Sequence, residues 1–242
     1  WNSIIGTYSG SYKAGEFVKE GSTGEFSISV WFKLRRDLSG SSGGQELGVI
    51  CNFNGEKVNP GFTKNQLYLY VNNRDIGYVR RGEGGTDLGD KPAWTVTGAL
   101  DAYASGSTRG AWNHLVLTHK YSGDLEDQTG SGSLPAPKFY LNGELQETLD
   151  AALLTSSTFV SPLATTVNAN THWIGAVDNL NYGFNGMLDE FSIWNKSLTK
   201  KDVREIYHRG RATSLTNYAY DNSLQLWYRM GDRKSTRLNS SH

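Results

Sequence analysis

The sequence predicts an all-β fold, an antiparallel two-sheet β-sandwich with one short helix near residues 199–209. The first observation is composition: 28 glycines, 5 prolines and an aromatic content of 12% suit many short strands joined by tight turns. The second is that short apolar segments alternate with turn-forming residues, whereas an amphipathic helical pattern occurs once. One helix among many strands fits a two-sheet sandwich better than an α/β sheet.

Several segments have the aromatic and β-branched composition of strands. They are residues 26–31, 48–53, 65–71, 75–80, 112–118, 173–175 and 225–230. The most specific local signal is Asn142-Gly143, which lies between Tyr140 and Leu145. This dipeptide suits a two-residue hairpin turn, because both of its residues accept positive φ.

Residues 184–195 predict a further strand that carries an acidic pair. Met187, Phe191 and Ile193 share one parity, so alternation places them on one face of a sheet. Asp189 has the same parity and is therefore expected on the buried face, where an unpaired charge is costly. Glu190 is expected on the opposite face.

The residues after this strand predict a capped helix. Thr199 is the expected N-cap, and Asp202 three residues later completes a variant of the capping box. The expected apolar stripe is Val203, Ile206 and Tyr207. Gly210 is the expected C-terminal stop.

These segments together resemble the laminin-G-like, concanavalin A-like jelly-roll domains of lectins and glucanases. The resemblance rests on residues 26–31, 112–118, 138–143, 173–175 and 184–207, which occur in the family's order. It implies a jelly roll in which residues 225–230 form a closing strand beside the N-terminal one. It also implies that calcium is a candidate cofactor, held by carboxylates and backbone carbonyls at loop ends. One fold hosts many functions, so the resemblance is less specific for the ligand.

The chain is expected to form one domain over residues 1–231. Residues 232–242 match one reading frame of a common short-read sequencing adaptor, so we expect a non-native tail there and exclude it from the fold. The chain begins with Trp1 instead of Met, which predicts an incomplete N-terminus.

Composition and motifs argue against several function classes. The 24 basic and 24 acidic residues balance, unlike those of a nucleic-acid-binding protein, and no apolar run has the length of a membrane span. Cys51 is the only cysteine, so it has no internal disulfide partner and is expected to be a small buried side chain.

Catalysis is not expected. Asp189 and Glu190 point to opposite faces of the predicted strand, so they cannot act together on one sugar, and the paired acids of the family's glucanases are missing. No serine-nucleophile motif accompanies the histidines. His114 and His119 lie five residues apart, hence on opposite faces, where His114 is expected to pack or form hydrogen bonds.

Asp189 is the first candidate ligand for calcium, because a buried carboxylate needs a cation or several hydrogen-bond donors. The alternative is that Asp189 accepts backbone N–H groups and stabilises the turn at Gly186. The acidic loop at residues 124–128 loosely resembles the calcium loop of pentraxins, although a charge cluster in a loop is more often simply solvated.

Aromatic and amide side chains in loops are the candidate sugar ligands. Trp94 and Tyr103 lie in a long polar segment at residues 81–110, and Asn179 and Tyr182 precede the acidic strand. The tryptophans within predicted strands are expected in the core; they are Trp31, Trp112, Trp173 and Trp194.

These features predict a non-catalytic recognition module that binds carbohydrate, a glycoprotein or another protein surface, with calcium as a candidate cofactor. The alternative is a structural or adhesive domain of a phage tail, a virion or a cell-surface assembly, and a glycoside hydrolase is the third. We expect an extracellular or virion-surface location within a larger multidomain protein, with no nucleic-acid partner and no membrane span.

Overall fold

The computed structural model describes residues 25–34, 47–53, 57–58, 62–63, 67–72, 75–80, 92–96, 98–100, 111–120, 137–146, 149–153, 172–175, 184, 186–211, 214–215 and 223–230. Short runs of β-branched and aromatic residues form the strands, and these runs alternate with glycine-rich segments along the sequence. The strands are β1 (Glu25–Leu34), β2 (Leu47–Phe53), β3 (Lys57–Val58), β4 (Phe62–Thr63), β5 (Leu67–Asn72), β6 (Asp75–Arg80), β7 (Pro92–Val96), β8 (Asn113–Lys120), β9 (Lys138–Leu141), β10 (Glu144–Gln146), β11 (Leu149–Leu153), β12 (His172–Ile174), β13 (Gly186–Trp194) and β14 (Leu224–Tyr228). The helix α1 (Lys200–Arg209) lies between β13 and β14.

Two six-stranded antiparallel sheets make up the sandwich. The first sheet has the order β10-β9-β8-β1-β13-β14, and the second has the order β11-β7-β6-β5-β2-β12. β3 and β4 form a separate two-stranded ribbon. The predicted antiparallel two-sheet sandwich is therefore confirmed.

The main core lies between the two sheets. Alternate residues of β1 enter it, from Phe26 to Phe32, and the second sheet contributes Ile50, Leu69 and Tyr78 among others. Cys51 is fully buried in this core, as predicted, and its burial raises the pKa of the thiol. These side chains supply the apolar burial that stabilises the sandwich.

A second apolar cluster joins the outer face of the first sheet to α1. It contains Val116, Tyr140, Trp194, Leu198, Val203, Ile206 and Leu215. The helix begins as predicted: the Thr199 side chain accepts from the Asp202 N–H, and the Asp202 carboxylate accepts from the Thr199 N–H. It ends at Gly210, with φ of 76°.

The predicted hairpin is also confirmed. Asn142 and Gly143 connect β9 to β10 with φ values of 52° and 83°, as a two-residue turn between twisted strands requires. The Asn142 side chain accepts from the His114 N–H at 2.9 Å, which ties the turn to β8.

Two topological expectations were wrong. β14 pairs with β13 and not with β1, because β8 and β13 already occupy both edges of β1. Residues 92–96 of the expected polar segment form β7, which pairs with β6 and extends the second sheet. Among the described residues, no helix is long and apolar enough to cross a membrane.

Candidate functional site

A β-bulge in β13 brings the two acidic residues to the same face. Ser29 lies opposite Ser192, whereas Trp31 lies opposite Asp189, so β13 has one extra residue at this point. Glu190 adopts a left-handed φ of 50°, unusual for a residue other than glycine. Alternation is therefore interrupted between Asp189 and Phe191.

The interruption corrects two expectations. Asp189 shares the outer face with its partner Trp31, while Phe191 lies in the core, so Asp189 is not on the core face. Glu190 bonds to Trp227, which packs against the outer cluster, so the two carboxylates do not point to opposite faces. The parity rule failed because the bulge shifts the register by one residue.

Asp189 is buried and surrounded by N–H groups. Its Oδ1 accepts hydrogen bonds from the backbone nitrogens of Glu190 at 2.9 Å and Met230 at 3.0 Å. Its Oδ2 lies 3.5 Å from Arg211 Nε. These contacts match the backbone-donor alternative, although the segment they hold follows β14 and is not the turn at Gly186.

The surroundings of Asp189 do not fit calcium, since its oxygens already face N–H donors. In the part of the chain that the structure describes, no group of three or more His, Cys, Asp or Glu side chains is placed to hold a metal ion. Residues 124–128 lie outside that part, and calcium there stays a prediction.

Glu190 binds two side chains of the β14 segment at once. Its Oε2 accepts from Trp227 Nε1 at 2.5 Å, and its Oε1 accepts from Arg229 Nε at 3.1 Å. Burial raises the pKa of the Glu190 carboxyl and the nearby Asp189 charge adds to the rise, whereas the bonds from Trp227 and Arg229 oppose it. One carboxylate thus orients an indole and a guanidinium.

Each arginine also lies over a tryptophan. Arg229 Cζ is 5.4 Å from the centre of the Trp227 ring, and Arg211 Cζ is 3.9 Å from the centre of the Trp112 ring. We call these connected residues the bulge cluster. Its members are Trp112, Asp189, Glu190, Arg211, Trp227 and Arg229.

Exposure divides the bulge cluster into two layers. The side chains of Asp189 and Glu190 are 12% and 7% exposed, whereas those of Arg211 and Arg229 are 39% and 30% exposed. Trp112 and Trp227 are half-buried. The surface therefore presents indole rings and guanidinium groups, with the acids beneath them.

An aromatic stack around the buried ring of His114 lies on the same face. Trp31 and Tyr207 both stack on His114, with ring centres 4.9 and 6.1 Å from it, and His114 Nε2 hydrogen-bonds Ser29 Oγ at 2.8 Å. His119 instead contacts Phe26 and Tyr78 in the core. The predicted separation of the two histidines is confirmed, and His114 packs and forms a hydrogen bond as expected.

Of the four predicted sugar ligands, the structure describes the position of Trp94 alone. Trp94 lies in strand β7, opposite Tyr78, and not in a loop. Tyr103, Asn179 and Tyr182 lie outside the residues that the structure describes. Their role stays a prediction.

The four tryptophans expected in the core differ in their burial. Trp194 is fully buried under α1 and Trp31 is buried in the stack. Trp112 precedes β8 and is only half-buried, with Arg211 over its ring. Trp173 lies in β12, and its side chain is outside the description.

A laminin G family model, described as the concanavalin A-like lectin/glucanases superfamily, matches residues 6–204. The chain belongs to this superfamily. The match contains Trp112, Asp189 and Glu190, while Arg211, Trp227 and Arg229 follow it. No curated protein matches the chain by sequence.

Solved structures similar to this superfamily member include two sugar complexes. One is the Botulinum neurotoxin serotype D ligand binding domain in complex with N-acetylneuraminic acid, with 18% identity, TM-score 0.45, and coverage of 76% of this chain and 36% of that chain. The other is the Ruminococcus gnavus IT-sialidase CBM40 bound to α2,6 sialyllactose, with 16% identity, TM-score 0.46, and coverage of 75% and 82%. The chain spans 36–37% of the length of the first three solved chains it matches.

Sequence reasoning missed Arg211, Trp227 and Arg229 as site residues of this superfamily member. The available signal was the acidic pair itself, because charges within an otherwise apolar strand need partners when they are buried. Arg229 lies 39 residues from Glu190 along the chain, and Met230 lies 41 residues from Asp189. No local sequence pattern identifies contacts over such separations.

Proposed function

We propose that this chain is a non-catalytic carbohydrate-binding module and that the bulge cluster is its binding surface. The observation that carries the proposal is that the two carboxylates are already engaged, while the side chains of Trp112 and Trp227 are only half-buried beside them. Such a surface is built to hold a ligand and not to transfer a proton.

The indole rings are held in place before a ligand arrives. Trp227 is fixed by its hydrogen bond to Glu190, and the guanidinium of Arg211 packs against one face of Trp112. A fixed indole offers a flat apolar surface to the C–H face of a sugar ring at little entropic cost. Guanidinium groups beside it can donate hydrogen bonds to ring substituents.

The same contacts argue against hydrolysis at this site. A retaining glycosidase needs two carboxyl groups about 5–5.5 Å apart, one as nucleophile and one as general acid. Here Asp189 accepts backbone N–H groups, and Glu190 accepts from Trp227 and Arg229. Neither carboxylate is open to a substrate.

The backbone of Glu190 supports a functional role for the bulge. A residue other than glycine at a φ of 50° costs on the order of 1 kcal/mol, and such strain clusters at ligand sites. A straight strand would avoid this cost but would separate the two acids. The bulge places both of them under the exposed arginines.

The proposal needs no calcium at Asp189, and a calcium requirement elsewhere in the domain is a separate proposal. Glycans are found chiefly on cell and virion surfaces, so we extend the proposal to an extracellular or virion-surface location within a multidomain protein.

A glycan array on the purified chain tests the function. Trp227→Ala and Trp112→Ala are expected to weaken glycan binding about tenfold each, as removing an aromatic anchor does. Leu145→Ala, an exposed apolar residue in the β9–β10 hairpin, is the matched control and should bind as the wild type does. No glycan binding on the array, together with self-association in light scattering, would support the structural or adhesive alternative instead. Release of reducing sugar from β-glucans would support the hydrolase.

A further inference from the structure

The two arginines of the bulge cluster leave their outer edges unused. Each contacts its acid through Nε, Arg211 at 3.5 Å from Asp189 and Arg229 at 3.1 Å from Glu190. Their remaining contacts are with the rings of Trp112 and Trp227. Among the described residues, neither guanidinium group has a hydrogen-bond or ion-pair partner other than its own acid.

The arrangement orients these free edges toward the surface. A guanidinium is planar with a fixed fork of N–H groups, so when its Nε–H and the neighbouring terminal N–H face the acid beneath, the end edge between its two terminal nitrogens points away from that acid. The arginine side chains are 39% and 30% exposed, whereas the acids are 12% and 7% exposed. Positive charge therefore faces solvent, and the compensating negative charge lies below it.

The groups available to a ligand are mainly hydrogen-bond donors. Arginine has no acceptor, and the carboxylate oxygens that could accept from sugar hydroxyls are already occupied. A neutral sugar needs both donors and acceptors. A carboxylate needs donors alone, and two parallel N–H groups of one guanidinium match its geometry.

We infer that the ligand is an acidic sugar, whose carboxylate is bound by the free edge of Arg229 while its ring packs against Trp227. This inference rests on the proposed function. The Arg229–Trp227 pair is the better fixed of the two, because both oxygens of Glu190 hold it. Glu190 is thus the positioning residue, and Arg211 is a second donor above Asp189.

Calorimetric titration with matched ligand pairs tests the inference. We use sialyllactose against its methyl ester, and a glucuronic acid disaccharide against its methyl ester, so that each pair differs in its negative charge. The chain should bind at least one acid about tenfold or more tightly than its neutral partner. The two acids distinguish sialic from uronic acid recognition. Added salt should weaken the acid more than the neutral sugar, since the guanidinium edges are exposed.

Substitutions assign the preference to Arg229. Arg229→Gln should remove most of the preference for the acid and leave the affinity for the neutral partner within about twofold of wild type. Arg209→Gln is the matched control, because Arg209 is an exposed arginine of α1 that pairs with Glu205 and lies outside the bulge cluster. Arg229→Lys keeps a charge opposite Glu190 but loses the planar fork, so it decides the question if Arg229→Gln fails to fold. It should lose the preference partly.

The outcomes are distinguishable. Equal binding of the acids and their neutral partners, or a preference that survives in folded Arg229→Gln and Arg229→Lys, overturns the inference and leaves the carbohydrate function standing. Failure to bind any glycan, acidic or neutral, overturns both.

Discussion

The carboxylate of Asp189 accepts a hydrogen bond from the backbone N–H of Met230, with 3.0 Å between Oδ1 and N. The bond connects the bulge of β13 to the residue just beyond the segment that carries Trp227 and Arg229. It also joins the part of the chain that the superfamily model matches to a part that follows it. Asp189 and Glu190 thus hold the more exposed residues Arg211, Trp227 and Arg229 in place from beneath.

Replacing Asp189 should separate its two roles. Asp189→Ala removes the acceptor of two backbone N–H groups, and we expect it to lower the free energy of unfolding by about 1–3 kcal/mol in urea denaturation. Asp189→Asn keeps one side-chain oxygen and should cost less. Equal losses in the two variants would mean that the charge opposite Arg211, and not the hydrogen bonds, carries the effect.

The same variant tests calcium. Because the oxygens of Asp189 face N–H donors, the difference in melting temperature between wild type and Asp189→Asn should be the same in calcium and in EDTA. A calcium-dependent rise that the wild type shows and Asp189→Asn lacks would restore Asp189 as a calcium ligand. A rise shared by both proteins would indicate a calcium site elsewhere in the chain.

Local signals in the sequence predicted local structure well. The Asn142-Gly143 turn and the Thr199–Asp202 capping box each depend on residues close together in the chain, and both are confirmed. The edge position of β14 and the contacts of Glu190 depend on pairings across the sheet, and the sequence did not predict them. The alternation of side chains did not predict the face of Asp189, because one inserted residue in a strand reverses the faces of all residues on one side of the insertion.

Gly186 is expected to be intolerant of any side chain. A Cβ at this position would overlap the carbonyl oxygen of Lys33, which belongs to the neighbouring strand β1 and cannot rotate away. Gly186→Ala should therefore lower the free energy of unfolding by about 1–3 kcal/mol, in the range of overpacked cores. Gly210→Ala is the comparison, because open space surrounds Gly210 and only its φ of 76° resists a side chain. Circular dichroism melting curves that rank Gly210→Ala as the more damaging would contradict the steric cause.

The cap of α1 should contribute measurably to stability. Thr199→Ala removes the acceptor of the Asp202 N–H, and loss of an N-cap hydroxyl typically costs about 1 kcal/mol. Lys201→Ala changes an exposed residue in the same first turn of α1. It is the control and should be nearly neutral. Urea denaturation of both variants provides the measurement, and equal stabilities would show that packing alone defines the start of the helix.

His114 should make the fold sensitive to acid. Complete burial lowers the pKa of His114 from 6.5 to about 3, and the ring's contacts in the described residues are Trp31, Tyr207 and Ser29, none of which is charged. Above pH 6.5 the imidazole is neutral in both the folded and the unfolded chain, so its titration does not lower the free energy of unfolding. Between pH 6.5 and about 3 only the unfolded chain binds the proton, so the free energy of unfolding should fall by up to about 1.4 kcal/mol per pH unit.

His114→Phe isolates this contribution, because phenylalanine keeps the aromatic stack and cannot titrate. Glu190, whose pKa is raised, acts in the opposite sense: its contribution is greatest at low pH and is lost as the pH rises through its folded-state pKa. Glu190 is present in both proteins, so the difference between them reports His114. The free energy of unfolding should be measured by urea denaturation at pH 7, 6, 5 and 4. Wild type should be more stable than His114→Phe at pH 7, because only wild type has the hydrogen bond to Ser29. The difference should narrow or reverse at lower pH. His208→Gln, in an exposed position of α1, should keep the wild-type slope. An unchanged slope in His114→Phe would contradict the assignment of acid sensitivity to this buried ring.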